Sequence, residues 1–296
     1  GTVPTGFKKL CSANFPEPTI ALPDKHFDTL LWTGNSTDNR AITGLEFQPD
    51  LTWIKRRSGG AQSHFWVDAL RSNTDSSGNG NVGPLATNDT YADSNALTDG
   101  GFESFNSDGF TLGKGSSTAN ADAPYQRNNA SSETYVGWNW KAAGSTASNS
   151  DGSITSTVSA NTTAGFSIVS YEGTGSSATV GHGLGVKPDV MIFKNRDQAH
   201  GWLVYHSSFG ATKNLGLNTI SAVATASNKF NDTEPTSTVF TVNTAADSNQ
   251  SGQSIIAYCF REVAGYSKFG SYEGNQNADG PFVYLGFTPA FLLIKN

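Results

Sequence analysis

Histidine and cysteine are the residue types here best suited to metal binding or nucleophilic catalysis, and the chain has five and two of them. The sequence contains no GxSxG, HExxH or CxxC motif, the patterns typical of hydrolases, zinc proteases and zinc sites. His64 and His200 each lie two residues before a tryptophan. We expect each imidazole to hydrogen-bond a loop while the indole packs. His182 lies in GHGLG, which lacks the strand-then-helix context of a phosphate loop. No cofactor and no metal site is predicted.

Carboxylates offer a different chemistry, because glycoside cleavage needs two of them about 5 to 10 Å apart. The candidates are Asp68, Asp108, Glu172 and Glu273. Glu172 and Glu273 recur beside a glycine, which favours solvated hairpin ends. We therefore predict that the chain is not an enzyme, with glycoside hydrolysis as the alternative.

Aromatic residues in polar loops are a common means of holding sugars, by stacking on the sugar face. The candidates for such contacts are Tyr91, Phe102, Tyr125 and Phe230. The alternative interpretation is that these rings plug the ends of a β-sandwich.

The elements that position these residues repeat along the chain. An aromatic residue, a glycine two positions on, a proline and a lysine occur three times at one spacing: Trp32, Gly34, Pro49, Lys55; Tyr171, Gly173, Pro188, Lys194; and Tyr272, Gly274, Pro289, Lys295. Such regularity indicates a tandem array of one supersecondary unit. We expect the glycines to adopt positive φ or to form a bulge, and the prolines to precede strands.

The runs LTWIK, VMIFK and FLLIK are short, apolar and rich in branched and aromatic residues, as in β-strands. No long stretch has helical periodicity. The sequence predicts an all-β fold of tandem antiparallel β-sandwich modules, jelly-roll or concanavalin-like, because one face of each strand must be buried against another layer.

The predicted domain organisation follows from the repeats. Residues 1–26 are an extended lead-in from a preceding domain, 27–145 form repeat one and 165–264 form repeat two. Residues 146–164 are small and polar, and are assigned as a linker, or else as a long strand on the surface. Residues 265–296 are the start of a truncated repeat three, expected to form its first hairpin. The chain is thus expected to be a window on a longer polypeptide.

Composition excludes several classes of function. The formal net charge is −6 and charged residues make up 15% of the chain, so we expect no nucleic-acid partner. The basic triplet Lys55-Arg56-Arg57 is expected at a strand end that reaches solvent. No apolar run is long enough to span a membrane, so no membrane insertion is predicted. Cys11 and Cys259 lie in unrelated contexts and are expected to be free thiols.

Several phrases resemble large structural proteins of marine tailed phages, in which a lectin-like β-sandwich precedes tandem β repeats. These phrases include GFKKLCSANFPEPTI, GLEFQPDLTWIKRR, YVGWNWKA, GHGLGVKPDVMIFKNR and AYCFREVAGYSKFGSYEGN. The resemblance covers nearly the whole chain. It implies a virion structural protein, most often a tail fibre or other host-contacting tail component, and it supplies no catalytic residue.

The resemblance also implies partners and a location. We expect a homo-oligomer in the virion tail appendage, with a trimer as the first choice, in contact with other virion tail proteins and with bacterial surface glycan. The alternatives are a capsid or neck decoration protein of the same virion, and a capsule-degrading, tailspike-like glycoside hydrolase.

Overall fold

The computed structural model describes residues 18–71, 84–93, 101–113 and 127–295. In these ranges the chain forms antiparallel β-sheets, with short helical turns at Pro23–Lys25, Ser227–Phe230 and Ala246–Asn249. The predicted all-β sandwich class is confirmed. Across the described ranges, no helix has the length and apolar character needed to cross a bilayer.

The first module packs a five-stranded sheet against a three-stranded sheet. Its described strands are β1 (Phe27–Thr33), β2 (Arg40–Thr43), β3 (Leu51–Arg56), β4 (Phe65–Asp68), β5 (Leu85–Ala86), β6 (Gly101–Asn106), β7 (Gly109–Gly113) and β8 (Thr134–Trp140). The strand orders are β1-β8-β3-β4-β5 and β2-β7-β6. Between the two sheets lies a core that includes Trp32, Ile54, Phe110 and Tyr135.

The second module repeats this plan with a larger sheet. Its described strands are β9 (Ala147–Asn149), β10 (Ser156–Asn161), β11 (Phe166–Glu172), β12 (Ala178–Gly181), β13 (Val190–Asn195), β14 (Leu203–His206), β15 (Lys213–Gly216), β16 (Ala224–Thr225), β17 (Val239–Val242) and β18 (Ser254–Phe260). The strand orders are β16-β15-β14-β13-β18-β11-β10-β9 and β12-β17. Val169, Phe193, Phe240 and Ile255 lie in the core between these sheets.

In each module the strand that comes last in the sequence lies between two earlier strands, and we call it the central strand. Strand β8 lies between β1 and β3, and strand β18 lies between β11 and β13 in the same register. Trp53 of β3 is opposite Trp138 of β8, and Ile192 of β13 is opposite Tyr258 of β18. The repeated sequence spacing therefore corresponds to a repeated strand topology.

The two large sheets pack face to face, so that the modules share a third core. Leu51 and Trp53 of β3 face this shared core, whereas Ile54 faces the core inside the first module. Strand β18 alternates in the same way, with Ile256 and Tyr258 towards the shared core. Strands buried on both faces have continuous apolar sequences, which explains the runs LTWIK, VMIFK and IIAYCF. The described chain is thus a stack of four sheet layers.

Residues 146–164 are not a linker. They contain β9 and β10, and β10 pairs with β11 along five residues, from Thr157 opposite Ser170 to Asn161 opposite Phe166. Their small polar side chains suit the edge of a large sheet, where one face meets solvent. The described end of the lead-in is also anchored, since Ile20 packs with Ala164 and Val263.

The predicted first hairpin of repeat three is not formed, because residues 266–295 contain no strand. Strands β1 and β3 do not pair with each other but each pairs with β8, and β11 and β13 likewise each pair with β18. Residues 266–295 contain sequence counterparts of β11 and β13 but none of β18. The segment is attached through Phe291, whose ring centroid lies 5.5 Å from those of Trp138 and Trp140.

The repeated glycines allow the backbone of another segment to pass close by, and they do not form a left-handed turn. Neither Gly34 nor Gly173 has a positive φ, so that part of the expectation was wrong. A Cβ on Gly34 would overlap the carbonyl oxygen of Ala130, and one on Gly173 would overlap that of Gln250. Both oxygens belong to the segment that leads into the central strand. Gly274 has no atom within 4 Å of the position a Cβ would occupy.

We predict that Gly34→Ala and Gly173→Ala each lower the free energy of unfolding by about 2 kcal/mol or more, because backbone must move to admit the methyl group. Gly274→Ala is the matched control and should change it by less than about 0.5 kcal/mol. Urea denaturation of the three variants measures this. Equal losses in all three would contradict the assignment of close approach.

Candidate functional site

A group of buried charged side chains lies where the two modules meet; we call Asp68, Arg71, Asp93, Arg196 and Tyr258 the interface ion cluster. Arg71 Nε donates to Asp68 Oδ2 at 2.5 Å, and both side chains are fully buried. Asp93 Oδ2 lies 3.4 Å from Arg71 Nη1 and 3.1 Å from Arg196 Nη2. Tyr258 Oη donates to Asp68 Oδ2 at 2.7 Å. Two carboxylates thus face two guanidinium groups contributed by different modules.

Local structure places Asp68 and Arg71 in position. Asp68 ends β4, and its Oδ1 accepts hydrogen bonds from the backbone N–H groups of Leu70 at 3.1 Å and Arg71 at 3.0 Å. This side-chain turn directs the Arg71 guanidinium back over the strand, where Nη2 donates to the carbonyl oxygen of Trp66 at 3.1 Å. Asp93 is held by its own backbone, whose N–H donates to the Arg196 carbonyl oxygen at 2.6 Å.

Electrostatics keep Arg71 and Tyr258 of the cluster protonated. Burial lowers the pKa of Arg71, but the negative charges of Asp68 and Asp93 outweigh it and raise the pKa above its usual range. Burial, and next the Asp68 charge, raise the pKa of Tyr258 well above its ordinary value. The guanidinium therefore stays charged and the phenol stays a donor. Asp68 Oδ2 already accepts from both groups, so this carboxylate is not available as a general base.

Aromatic rings surround the cluster on the shared core. The Trp66 ring lies edge-on to Tyr258 at 4.6 Å between centroids and to Trp202 at 5.4 Å. Trp202 Nε1 donates to the carbonyl oxygen of Ala86 in the other module at 2.9 Å. The expected packing of the repeated indoles is therefore present, and His200 Nε2 lies 3.1 Å from Gln250 Oε1 in a neighbouring loop.

The basic triplet lies at the end of β3 with Arg57 exposed, as expected, but the repeated lysines Lys55 and Lys194 are held by backbone oxygens. Lys55 Nζ donates to the carbonyl oxygen of Gln62 at 2.8 Å, and Lys194 Nζ donates to that of Asn195 at 2.6 Å. Lys194 is fully buried, and burial lowers its pKa to about 8, with the nearby Asp93 charge partly opposing this shift. Lys55 thereby holds the loop after β3, and Lys194 Nζ also donates to the carbonyl oxygen of Gln198 in the loop after β13 at 3.4 Å.

Four further repeat residues were missed by the sequence analysis. Asp50 Oδ2 accepts from the N–H of Ala142 at 2.6 Å, and Asp189 Oδ2 accepts from that of Glu262 at 2.7 Å, so each holds the end of a central strand. The sequence signal that could have identified Asp50 and Asp189 is the Pro-Asp pair, which occurs in two of the three copies of the repeat. Buried Asn129 and Asn249 each accept, through Oδ1, from the backbone just after the repeat glycine.

Two of the four predicted glycan-contacting aromatics are wrong. Phe102 lies in β6 and Phe230 in a helical turn, and each is 1% exposed. A ring buried in the core cannot stack on a sugar, and these two rings pack in the cores inside the first and second modules, respectively. Tyr91 is 64% exposed and remains a candidate. Tyr125 lies outside the described residues.

The remaining candidate carboxylates do not form a catalytic site with Asp68. Asp108, Glu172 and Glu273 are exposed, whereas Asp68 is buried in the interface ion cluster. Among the described residues, no group of three or more His, Cys, Asp or Glu side chains is placed to hold a metal ion. Cys259 is a buried free thiol, as expected; Cys11 lies outside the described ranges.

These features define an all-β protein of two sandwich modules joined by a common core and a buried ionic cluster. Residues 22–296 match the family described as Domain of unknown function (DUF7483), and the chain belongs to that family. No curated protein and no solved structure matches the chain.

We predict that Arg71→Met lowers the free energy of unfolding by about 3 to 5 kcal/mol, because Asp68 is left as an uncompensated buried charge. The double variant Asp68→Asn/Arg71→Met should be more stable than the single variant, since no buried charge then lacks its partner. Chemical denaturation measures both.

The matched control for this test is Lys187→Met. It breaks the ion pair of Lys187 with Glu234, whose side chains are 46% and 47% exposed, and should cost less than about 1 kcal/mol. A loss for Arg71→Met no larger than that of the control would contradict a structural role of the interface ion cluster.

Proposed function

We propose that this chain is a structural component of a phage virion, in a tail fibre or another host-contacting tail appendage, where it spaces and binds rather than catalyses. The observation that supports the proposal is the interface between the two modules, which share one apolar core. Strands β3 and β18 bury one face in the shared core, and the interface ion cluster links the modules by hydrogen-bonded charges. A spacer needs modules held in one fixed orientation, which this interface supplies. The resemblance of the repeated phrases supports the location.

The proposal of binding rather than catalysis rests on the dispersed candidate carboxylates, since Asp68 is buried in the interface ion cluster and Asp108, Glu172 and Glu273 are exposed. A cavity in the first module is lined by apolar residues including Ile54, Phe65, Val67 and Phe102. At about 10 Å³ it has room for roughly one water molecule, and it has none of the convergent acids and bases of a catalytic pocket.

The proposed ligand is a bacterial surface glycan, bound by the segments 72–101, 113–131 and 207–236, of which 72–83, 94–100 and 114–126 lie outside the described residues. Tyr91 is an exposed aromatic residue of the first segment. In the third segment Ile220 and Val223 are exposed beside Asn and Ser residues. Single contacts of this kind are weak, and a homo-oligomer, with a trimer as first choice, would multiply them.

The proposed location predicts where an antibody against residues 18–296 binds intact virus particles. We expect immunogold label on the tail appendage in electron micrographs. Label on the capsid or neck would instead identify a decoration protein. If mass spectrometry detects the protein in the particles but the antibody does not label them, the protein must lie inside the particle, and this would contradict the proposal.

Glycan binding predicts that the purified protein is retained by host envelope polysaccharide without releasing reducing ends. Tyr91→Ala should weaken retention about threefold to tenfold, because stacking on one sugar face is lost. Tyr284→Ala, which removes another exposed tyrosine outside these loops, is the matched control and should retain wild-type binding. Release of reducing ends would favour a glycoside hydrolase. If the protein is not retained and releases no reducing ends, a purely structural spacer is the better interpretation.

A further inference from the structure

His182 is a fully buried histidine in the loop between β12 and β13, and both of its ring nitrogens face backbone groups. Nε2 lies 3.3 Å from the carbonyl oxygen of Thr236, and Nδ1 accepts from the backbone N–H of Leu184 at 3.2 Å. A carbonyl oxygen can only accept, so Nε2 carries the proton and donates it. The ring is therefore neutral in this arrangement, because a second proton on Nδ1 would face the N–H of Leu184.

The two hydrogen bonds of the ring connect parts of the second module that are distant in sequence. The N–H of His182 donates to the carbonyl oxygen of Thr238 at 3.1 Å, which continues the pairing of β12 with β17. The ring then reaches Thr236, in the segment before β17. Leu184 is 2% exposed and lies in the core inside the module, and Gly183 has the positive φ of 72° that this tight turn needs. One imidazole thus holds the segment before β17 to the turn that positions a core leucine.

The segment before β17 has a second point of attachment, at Glu234. Its Oε1 accepts from the N–H of Ala211 at 2.7 Å, and its Oε2 accepts from Tyr205 Oη at 2.6 Å and from Lys187 Nζ at 2.7 Å. Burial raises the pKa of Glu234, but these hydrogen bonds outweigh it and lower the pKa below its ordinary value. Glu234 therefore keeps its charge in mild acid, and its end of the segment stays attached.

Burial also decides the charge of His182. It lowers the pKa of the ring, and the hydrogen bond to Thr236 and the negative charge of Asp151, in the turn after β9, oppose this shift only in part. Lys187 and Glu234, on the two segments that the ring joins, pair with each other. Because the pKa is lower in the folded state, the stabilisation by neutral His182 is complete above the pKa of an unfolded histidine, about 6.5, and is lost as the pH falls below it.

We propose that His182 is an acid-sensitive switch in the second module. Protonation of Nδ1 removes the acceptor of the Leu184 N–H and places a charge in a buried position, and both changes are unfavourable. The charged ring therefore turns out to water and releases Leu184 and Thr236, while Glu234 holds the other end of the segment. The opening is local, so the first module stays closed.

Amide hydrogen exchange of the whole protein, measured by NMR at pH 7.5 and pH 5.0, tests the switch. We expect the protection factor of the Leu184 N–H to fall about tenfold at the lower pH, because protons bind the open form more tightly than the closed form. The amides of β3 in the first module should keep their protection within about twofold. An unchanged Leu184 protection factor, or an equal fall in β3, would overturn the proposal.

The variant His182→Asn separates hydrogen bonding from titration. Elsewhere in this module Asn149 Oδ1 accepts from the N–H two residues further on, at 3.0 Å, so an asparagine can hold the Leu184 N–H without titrating. Its Leu184 protection should change by less than about twofold between the two pH values. His206→Asn is the matched control, since His206 Nδ1 accepts from the Ser208 N–H at 3.1 Å in another loop, and it should behave like wild type. An acid-induced loss in His182→Asn equal to that of wild type would count against His182 as the titrating group and overturn the proposal.

The ring of the wild-type protein gives a second measurement that does not depend on a variant. Nitrogen-15 NMR of labelled histidine should show the Nε2–H tautomer at pH 7.5 for the imidazole in contact with Leu184. This ring should titrate below pH 6.5, and the loss of Leu184 protection should have the same midpoint. An Nδ1–H tautomer, or a ring that titrates while Leu184 stays protected, would overturn the proposal.

Discussion

The central strand of each module is the element on which the rest of the structure depends. β8 and β18 are the last strands of their modules in the sequence, yet β8 lies between β1 and β3 and β18 lies between β11 and β13, so each joins two earlier strands. Each also contributes to two cores: β18 is buried on both faces, and β8 places Tyr135 in the core inside its module and the half-buried Trp138 and Trp140 against the core between modules. Because loop closure precedes such non-local pairing, we expect each module to fold late and as one unit.

The interface between the modules combines two kinds of interaction with different consequences. The packing of Trp66, Trp202 and Tyr258 removes large apolar surfaces from water and supplies stabilisation without strict direction. The pairing of Arg71 with Asp68 is directional, and buried ion pairs contribute little net stability against apolar replacements. Two contacts of the cluster cross between the modules, from Tyr258 to Asp68 and from Arg196 to Asp93, so a shifted packing of the two sheets would remove one partner from each of these buried carboxylates. The ionic cluster therefore favours one relative orientation of the modules.

Sequence periodicity predicted the strands because runs such as VMIFK carry their signal locally. It also located the repeat glycines and lysines, but not their roles. Gly34 is required by Ala130, about a hundred residues along the chain, and no local pattern records that approach. The burial of Lys194 was missed for a similar reason. A lysine near the end of a strand has the same local sequence whether its ammonium group is solvated or donates to a carbonyl oxygen.

The errors at Phe102 and Phe230 have a related physical cause. Both rings have polar neighbours in sequence, which suggested loops, but edge strands and short turns also alternate a buried ring with solvated side chains.

The interface ion cluster was beyond sequence reasoning altogether, since Asp68 and Tyr258 meet only when two modules pack. Repeat arrays bury apolar faces against neighbours, and the shared core applies this rule between the two complete modules. Phe291 extends the rule to the third copy of the repeat, because its ring packs against Trp138 and Trp140 of the first module.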